Sequence, residues 1–188
     1  MRHKYTSPAF VLGNRSRRET ESTVVLLTPD FGLIYVRAQG LRKPGSKLAM
    51  ALQTFSESEV MLVRGREGWR LTGALLVENW AGRLTFAERK RAGRVVELMQ
   101  RLVRGEHSDP RLYEAVLAFV RALPGLGEDE GEAAEVLAAL RILQALGVDA
   151  GSIPGEADEY SAPVLEQVAA DRKAYIARVN NGIVASGL

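Results

Sequence analysis

The chain has 188 residues, 46% of them hydrophobic and 26% charged, the balance of an ordinary globular protein with room for one domain or two small ones. Zero cysteines exclude a disulfide framework, a zinc ribbon and thiol chemistry, and no apolar run approaches the roughly 18 residues of a membrane-spanning helix. The net charge of +2 is divided unevenly: residues 1–104 hold 19 Lys and Arg against 9 Asp and Glu, and residues 105–188 hold 6 against 14, which suits a basic half facing a polyanion and an acidic half with another task.

The opening MRHKYTSPAF is basic but lacks the apolar core of a secretory signal, so the expected location is the cytoplasm. Up to about residue 80 the pattern is β. A short apolar run at 9–12 is followed by ETESTVVLLT (19–28), rich in Thr and Val, and by LIYVRA (33–38). Between the last two lies TPDFG, where Pro29 and Asp30 suit the turn corners and Gly32 the left-handed position that closes a hairpin. The stretch RAQGLRKPGSK (37–47) then places Arg37, Arg42, Lys43 and Lys47 together with no acid among them, broken by two glycines and a proline. A second hairpin is expected from 57–63 and 69–77, joined by RGREG with Gly65 and Gly68 as turn points. Five short strands, four of them in tight hairpins, predict a small closed barrel of the OB-fold type.

After Trp80 the period becomes helical. Ala92, Val95, Val96, Leu98, Met99, Leu102 and Val103 share one side of the first helix, and Arg83, Lys90, Arg94, Arg101 and Arg104 the opposite side. Ser108-Asp109-Pro110 reads as a helix start running to Leu123, where Pro124-Gly125 stops it. A third helix is expected over 130–146 with Gly147 as its stop, a loop over 147–162, and a last helix over 163–179 ending near Asn180-Asn181-Gly182. The fold class is thus a five-stranded OB-fold barrel followed by an all-α helical domain, with domains at 1–80 and 81–188.

Support for catalysis is thin. His3 lies near the N-terminus and His107 just before a helix start, and nothing brings them together; the acidic GEDEGE (127–132) suits a helix N-terminus; no phosphate-binding glycine loop occurs. No cofactor and no metal are expected. Binding has more behind it. Arg15, Arg17 and Arg18 in the first turn, Arg37, Arg42, Lys43 and Lys47 in the following stretch, and Arg64, Arg66 and Arg70 around the second hairpin are candidate phosphate contacts. Strand alternation places Leu33, Tyr35 and Arg37 on one face, so Tyr35 is positioned to stack on a base beside Arg37.

The order AFVL (9–12), ETESTVVLLTPDFG (19–32), RAQGLRKPGSKL (37–48) and ALQTF (51–55) resembles the N-terminal half of RecO, the bacterial recombination mediator family. Family positions fall at Thr28, Gly32, Ala38, Gly40, Arg42, Ser46 and Leu52-Gln53-Thr54-Phe55, and the helical half is similar in DPRLYEAVLAFVRAL (109–123) and LRILQALG (140–147). The resemblance implies an N-terminal OB-fold, a helical second domain and no enzymatic activity. It also implies binding of single-stranded and duplex DNA, annealing of complementary strands, and work with RecR to help RecA displace single-strand-binding protein, whose acidic tail docks on the helical domain in that family. There are departures. Many members carry a four-cysteine zinc site where this chain has none, Gln39 stands at a position often basic, and a short loop, GVDAGSIPGEADEYSAP, replaces the usual insertion.

The reading is a non-enzymatic DNA-binding and strand-annealing protein of recombinational repair. Arg15, Arg17, Arg18, Tyr35, Arg37, Arg42, Lys43, Lys47, Arg64 and Arg66 form its nucleic-acid site. Two alternatives stand beside it: a protein–protein adaptor whose basic barrel docks an acidic partner, and an RNA-binding OB-fold factor.

Overall fold

The structure is a computed structural model that describes residues 3–16, 21–41, 46–103 and 105–187. Arg17, Arg18, Arg42 and Lys43 lie outside the described residues. The chain divides into two units: residues 1–83 with 105–110, and residues 84–104 with 111–188.

The first unit is a closed barrel of five strands, β1 (Lys4–Ser16), β2 (Glu21–Thr28), β3 (Gly32–Gln39), β4 (Ser56–Gly65) and β5 (Gly68–Asn79), in the order β1-β2-β3-β5-β4. All neighbours are antiparallel except β3 and β5, whose short parallel pairing of Val36 with Trp69 and Arg37 with Arg70 closes the ring. The OB-fold expectation holds. Inside sit Ala9, Val11, Val24, Leu26, Ile34, Val36, Ala38, Leu52, Val60, Leu62 and Trp69, the alternate residues of each strand.

Strand β1 is far longer than its apolar run of residues 9–12 suggests. It pairs with β4 through Lys4–Phe10 and with β2 through Phe10–Ser16, so one strand spans two neighbours. Only residues 9–12 are buried on both faces of the strand, Ala9 and Val11 in the barrel core and Phe10 and Leu12 on the other side, so only they are continuously apolar. Pro8 sits where β4 is the sole strand neighbour, a position that tolerates a missing N–H.

A short helix, α1 (Lys47–Ala51), lies between β3 and β4, where the sequence reading has only a turn-rich connection. The Ser46 hydroxyl caps it by accepting from the Ala49 N–H at 3.3 Å. It buries Ala51 and hands Leu52 to the core. Phe55 then takes a left-handed φ of 66°, its N–H bonded to the Val11 carbonyl at 2.8 Å and its ring stacked on Phe10.

The turn from β2 to β3 follows its sequence signals. Thr28 Oγ1 accepts from the Phe31 N–H at 3.0 Å, and Gly32 has a φ of +67°. Gly32 is required for a second reason: a Cβ there would meet the His107 carbonyl oxygen at 2.0 Å. Residues 105–110 run back along the barrel, with the Ser108 hydroxyl bonding the Pro29 carbonyl at 2.8 Å and Glu106 pairing Arg64 at 2.9 Å.

The second unit holds α2 (Phe86–Leu102), α3 (Pro110–Ala122), α4 (Glu128–Ala145), α5 (Ala162–Ala170) and α6 (Arg172–Ala185). Thr85 and Glu88 form a capping box at the start of α2, and the other Glu88 oxygen accepts from the Gly125 N–H at 3.1 Å. Helices α3 and α4 carry most of the core, including Leu112, Val116, Phe119, Leu137, Leu140 and Leu143. The single last helix expected over 163–179 is instead α5 and α6, broken at Asp171, and it continues past Gly182 to Ala185. Both halves pack on α4, which an unbroken helix along one line would not follow for its whole length. Gly182 is inside α6 because the helices come too close for a side chain: a Cβ would sit 2.8 Å from Leu143 Cδ1.

Two arginines organise the loop between α4 and α5. Arg141, buried, gives its Nη2 to the carbonyls of Pro154, Glu156 and Glu159 and lies 4.6 Å from the Tyr160 ring. Arg178 bonds the Asp149 carboxylate at 2.5 Å and the Ser152 carbonyl at 2.8 Å.

Candidate nucleic-acid interface

Register places the barrel's cations in a row. Arg15 on β1 pairs with Thr23 on β2, Thr23 with Arg37 on β3, and Arg37 with Arg70 on β5. Directly paired residues point to the same side of a sheet, and Arg15 and Arg70 are exposed while Arg37 is partly so. Neighbouring strands are roughly 4.8 Å apart, so the row spans three strand spacings, a scale comparable to two or three phosphate intervals. Tyr35, two residues before Arg37 on the same face, is 54% exposed and aligned with Val25 and Gly13. A ring so exposed on a strand offers an apolar face for stacking.

The cations do not all stand free. Arg37 Nη1 bonds Glu67 Oε2 at 2.5 Å and its Nη2 bonds the Glu67 carbonyl at 3.1 Å, while its Nε is buried without a partner. The run 37–47 lacks an acid of its own, but the turn between β4 and β5 brings one to its first arginine. The hydrogen bond from Arg37 and the Arg37 charge, with Arg70 adding to them, hold the Glu67 carboxyl below its ordinary 4.5.

Arg64 serves the barrel end. Its guanidinium lies 5.0 Å from the centre of the Trp69 ring, which also meets Phe31 at 4.8 Å and Tyr5 at 5.5 Å, and it pairs with Glu106. Arg66 is exposed in the β4–β5 turn, and Lys47 is exposed at the first position of α1. Of the basic stripe read on the first helix, Arg94 is held in a bidentate pair by Glu135 of α4, at 2.5 and 2.6 Å, and Arg83 pairs with Glu78. Arg70, a candidate from the sequence, falls in the row and Arg64 at the barrel end, and nothing in the sequence marks Glu67 as a neighbour of Arg37. What aligns Arg70 with Arg37 is the β3–β5 pairing, which joins residues more than thirty positions apart and leaves no local trace.

No group of three or more His, Cys, Asp or Glu with metal-holding geometry occurs among the described residues, and no described helix is long and apolar enough to cross a membrane.

Residues 1–80, the span of the barrel strands, match the family model described as Recombination protein O N terminal. The chain is similar to RecO proteins over most of its own length. It is 31% identical over 144 residues to the DNA repair protein RecO of Heliobacterium modesticaldum, covering 76% of this chain and 51% of that protein. Against the protein of the same name from Desulforudis audaxviator it is 33% identical over 121 residues, 64% of this chain and 49% of the other. With that from Dehalococcoides mccartyi strain 195 the identity is 29% over 129 residues, 68% and 51% respectively. The chain thus spans about half the length of the curated RecO proteins it matches. The resemblance read from the motifs at 9–55 is borne out, and those motifs acquire structural reasons: Thr28 and Gly32 make the turn, Ser46 caps α1, Leu52 enters the core and Phe55 takes the left-handed position.

Proposed function

We propose that this protein acts in recombinational DNA repair, binding single-stranded DNA across the outer face of its barrel and annealing complementary strands. The observation that carries this reading is the aligned row Arg15, Arg37, Arg70 beside the exposed ring of Tyr35. Cations at strand spacing neutralise phosphates, and a ring with an open face stacks on any base, so the site asks for no sequence, as annealing requires. The names of its relatives support the repair setting. In this reading the protein is not an enzyme, works in the cytoplasm, accepts duplex DNA as a second ligand, and cooperates with RecR to load RecA on strands covered by single-strand-binding protein.

The test is single-strand binding across a salt series together with annealing of two labelled complementary oligonucleotides. Replacing Arg15, Arg37 and Arg70 together by Ala should weaken binding and lower the salt slope by roughly 2, at roughly 0.7 for each lost phosphate contact. Tyr35→Ala should cost ~1–3 kcal/mol in binding and leave the slope alone. Unchanged affinity in the triple variant would move the site elsewhere on the molecule. No binding even at low salt would remove DNA as the direct ligand and bring forward the adaptor reading.

A further inference from the structure

Glu67 brings a carboxylate to the cationic row. Glu67 sits in the two-residue turn between Gly65 and Gly68, and its side chain is 78% exposed. Its carboxylate receives the Arg37 guanidinium at 2.5 Å and feels the Arg70 charge as well. A carboxylate and a phosphate present the same thing to a guanidinium: two anionic oxygens at a spacing that accepts its fork. We propose that Glu67 is an internal competitor for the DNA phosphate, occupying Arg37 in the free protein and yielding it when a strand binds. The inference rests on the single-strand-binding reading above and adds to it a residue that sets affinity.

Three features of the pair favour exchange over a permanent structural bond. The acid is open to solvent, so the interaction is screened and an incoming phosphate can reach it. Arg37 is anchored by a second contact, its Nη2 to the Glu67 main-chain carbonyl at 3.1 Å, so loss of the carboxylate still leaves the guanidinium directed toward the turn. The Arg37 Nε, buried and without a partner, shows that the guanidinium has donor capacity left over in this arrangement. Arg70 interacts with the same Glu67, so this acid tempers the middle and one end of the row. A protein that must hold two strands and then release their duplex gains from a built-in competitor, because it limits residence while offsetting a single cation of the encounter surface.

The experiment uses the full chain and a poly-dT oligonucleotide, with affinity followed by fluorescence anisotropy over a sodium chloride series. Glu67→Gln is compared with wild type, with Arg37→Ala, with the Arg37→Ala/Glu67→Gln pair, and with Glu59→Gln. Glu59 is exposed on β4 and paired in register with Pro8 and Leu75, away from the row. Glu67→Gln should tighten binding about two- to five-fold and leave the salt slope close to that of the wild type, because Arg37 neutralises the same phosphate in either complex. The gain should vanish in the Arg37→Ala background, and Glu59→Gln should leave affinity where it was. Weaker binding by Glu67→Gln would make the acid a positioning group and overturn the proposal, as would no change. An equal gain that persists without Arg37 would reduce the effect to net charge and overturn it too. If the wild type does not bind the oligonucleotide, the single-strand reading itself fails, which is a different result from wild-type binding that Glu67→Gln leaves unmoved.

Discussion

Two charged side chains buried in the helical unit show what a single residue decides. Arg141 is 5% exposed, and its Nη2 reaches three carbonyls of the loop after α4. Sequence periodicity cannot tell this arginine from a solvated one, because the loop it gathers is fifteen residues further on. Arg141→Met keeps the volume and removes the donors, so carbonyls of the loop lose their partner, which costs ~1–3 kcal/mol for such buried groups. Urea unfolding of the variant checks it, and an unchanged midpoint would mean that water replaces the guanidinium. Glu88 is the second case. Burial pushes its carboxyl up, but the backbone N–H and hydroxyl of Thr85 and the N–H of Gly125 outweigh burial and hold it below its ordinary 4.5. A carboxyl depressed in the folded state adds stability that is present above 4.5 and is lost as pH falls through the folded value. Glu88→Gln should therefore flatten the acid limb of the stability–pH profile, as followed by circular dichroism. The spacing of the capping box is local, since Thr85 and Glu88 stand three apart at the head of a helical-period segment; the reach of Glu88 to Gly125 is not.

At the scale of elements, local signals place starts and stops where the chain alone decides them. Pro110 opens α3, and at the end of α4 the Val148 N–H returns to the Leu143 carbonyl at 2.9 Å with Gly147 left-handed, as a helix-terminating glycine allows. They mislead where a neighbour decides. Gly182 reads as a stop and is instead a contact, letting α6 lie against Leu143. Gly182→Val should drive a branched side chain into that contact and destabilise by ~1–3 kcal/mol. A chemical-denaturation midpoint equal to the wild type would show that α6 can shift away freely. Helix α1 is too short for a periodic pattern to announce, and its cap, Ser46, sits inside a segment dominated by glycine, proline and basic residues.

For the molecule as a whole, the division of charge changes meaning once the units are known. By position the first 104 residues look strongly basic, yet α2, with its arginines, belongs to the helical unit. The barrel unit, including residues 105–110, holds 13 Lys and Arg against 9 Asp and Glu, and the helical unit 12 against 14. Much of the α2 charge is spent inside that unit, Arg91 and Arg94 on Glu128 and Glu135. The charge excess of the barrel unit is therefore smaller than that of the first 104 residues. The loop after α4 is a whole-molecule matter as well, because the RecO family often places cysteines and zinc in that half. Here guanidinium groups from α4 and α6 hold it, and the chain has no cysteine. Adding EDTA should leave the melting temperature unchanged, and a drop would reveal a metal that supports the fold.

The sequence alone determined the alternation of five strands, the switch to helices after Trp80, the Thr28–Gly32 turn and the absence of thiol chemistry, because each follows from short-range periodicity, turn chemistry or composition. It also supplied the cations and Tyr35 as candidates, and the motifs that carry the RecO resemblance. Only the tertiary structure decided which cations stand together. Arg15, Arg37 and Arg70 come from three strands and meet through register, and Glu67 reaches Arg37 across thirty positions because β3 and β5 close the barrel in parallel. Register over such separations is fixed by how the whole core packs, so no local stretch of the chain records it.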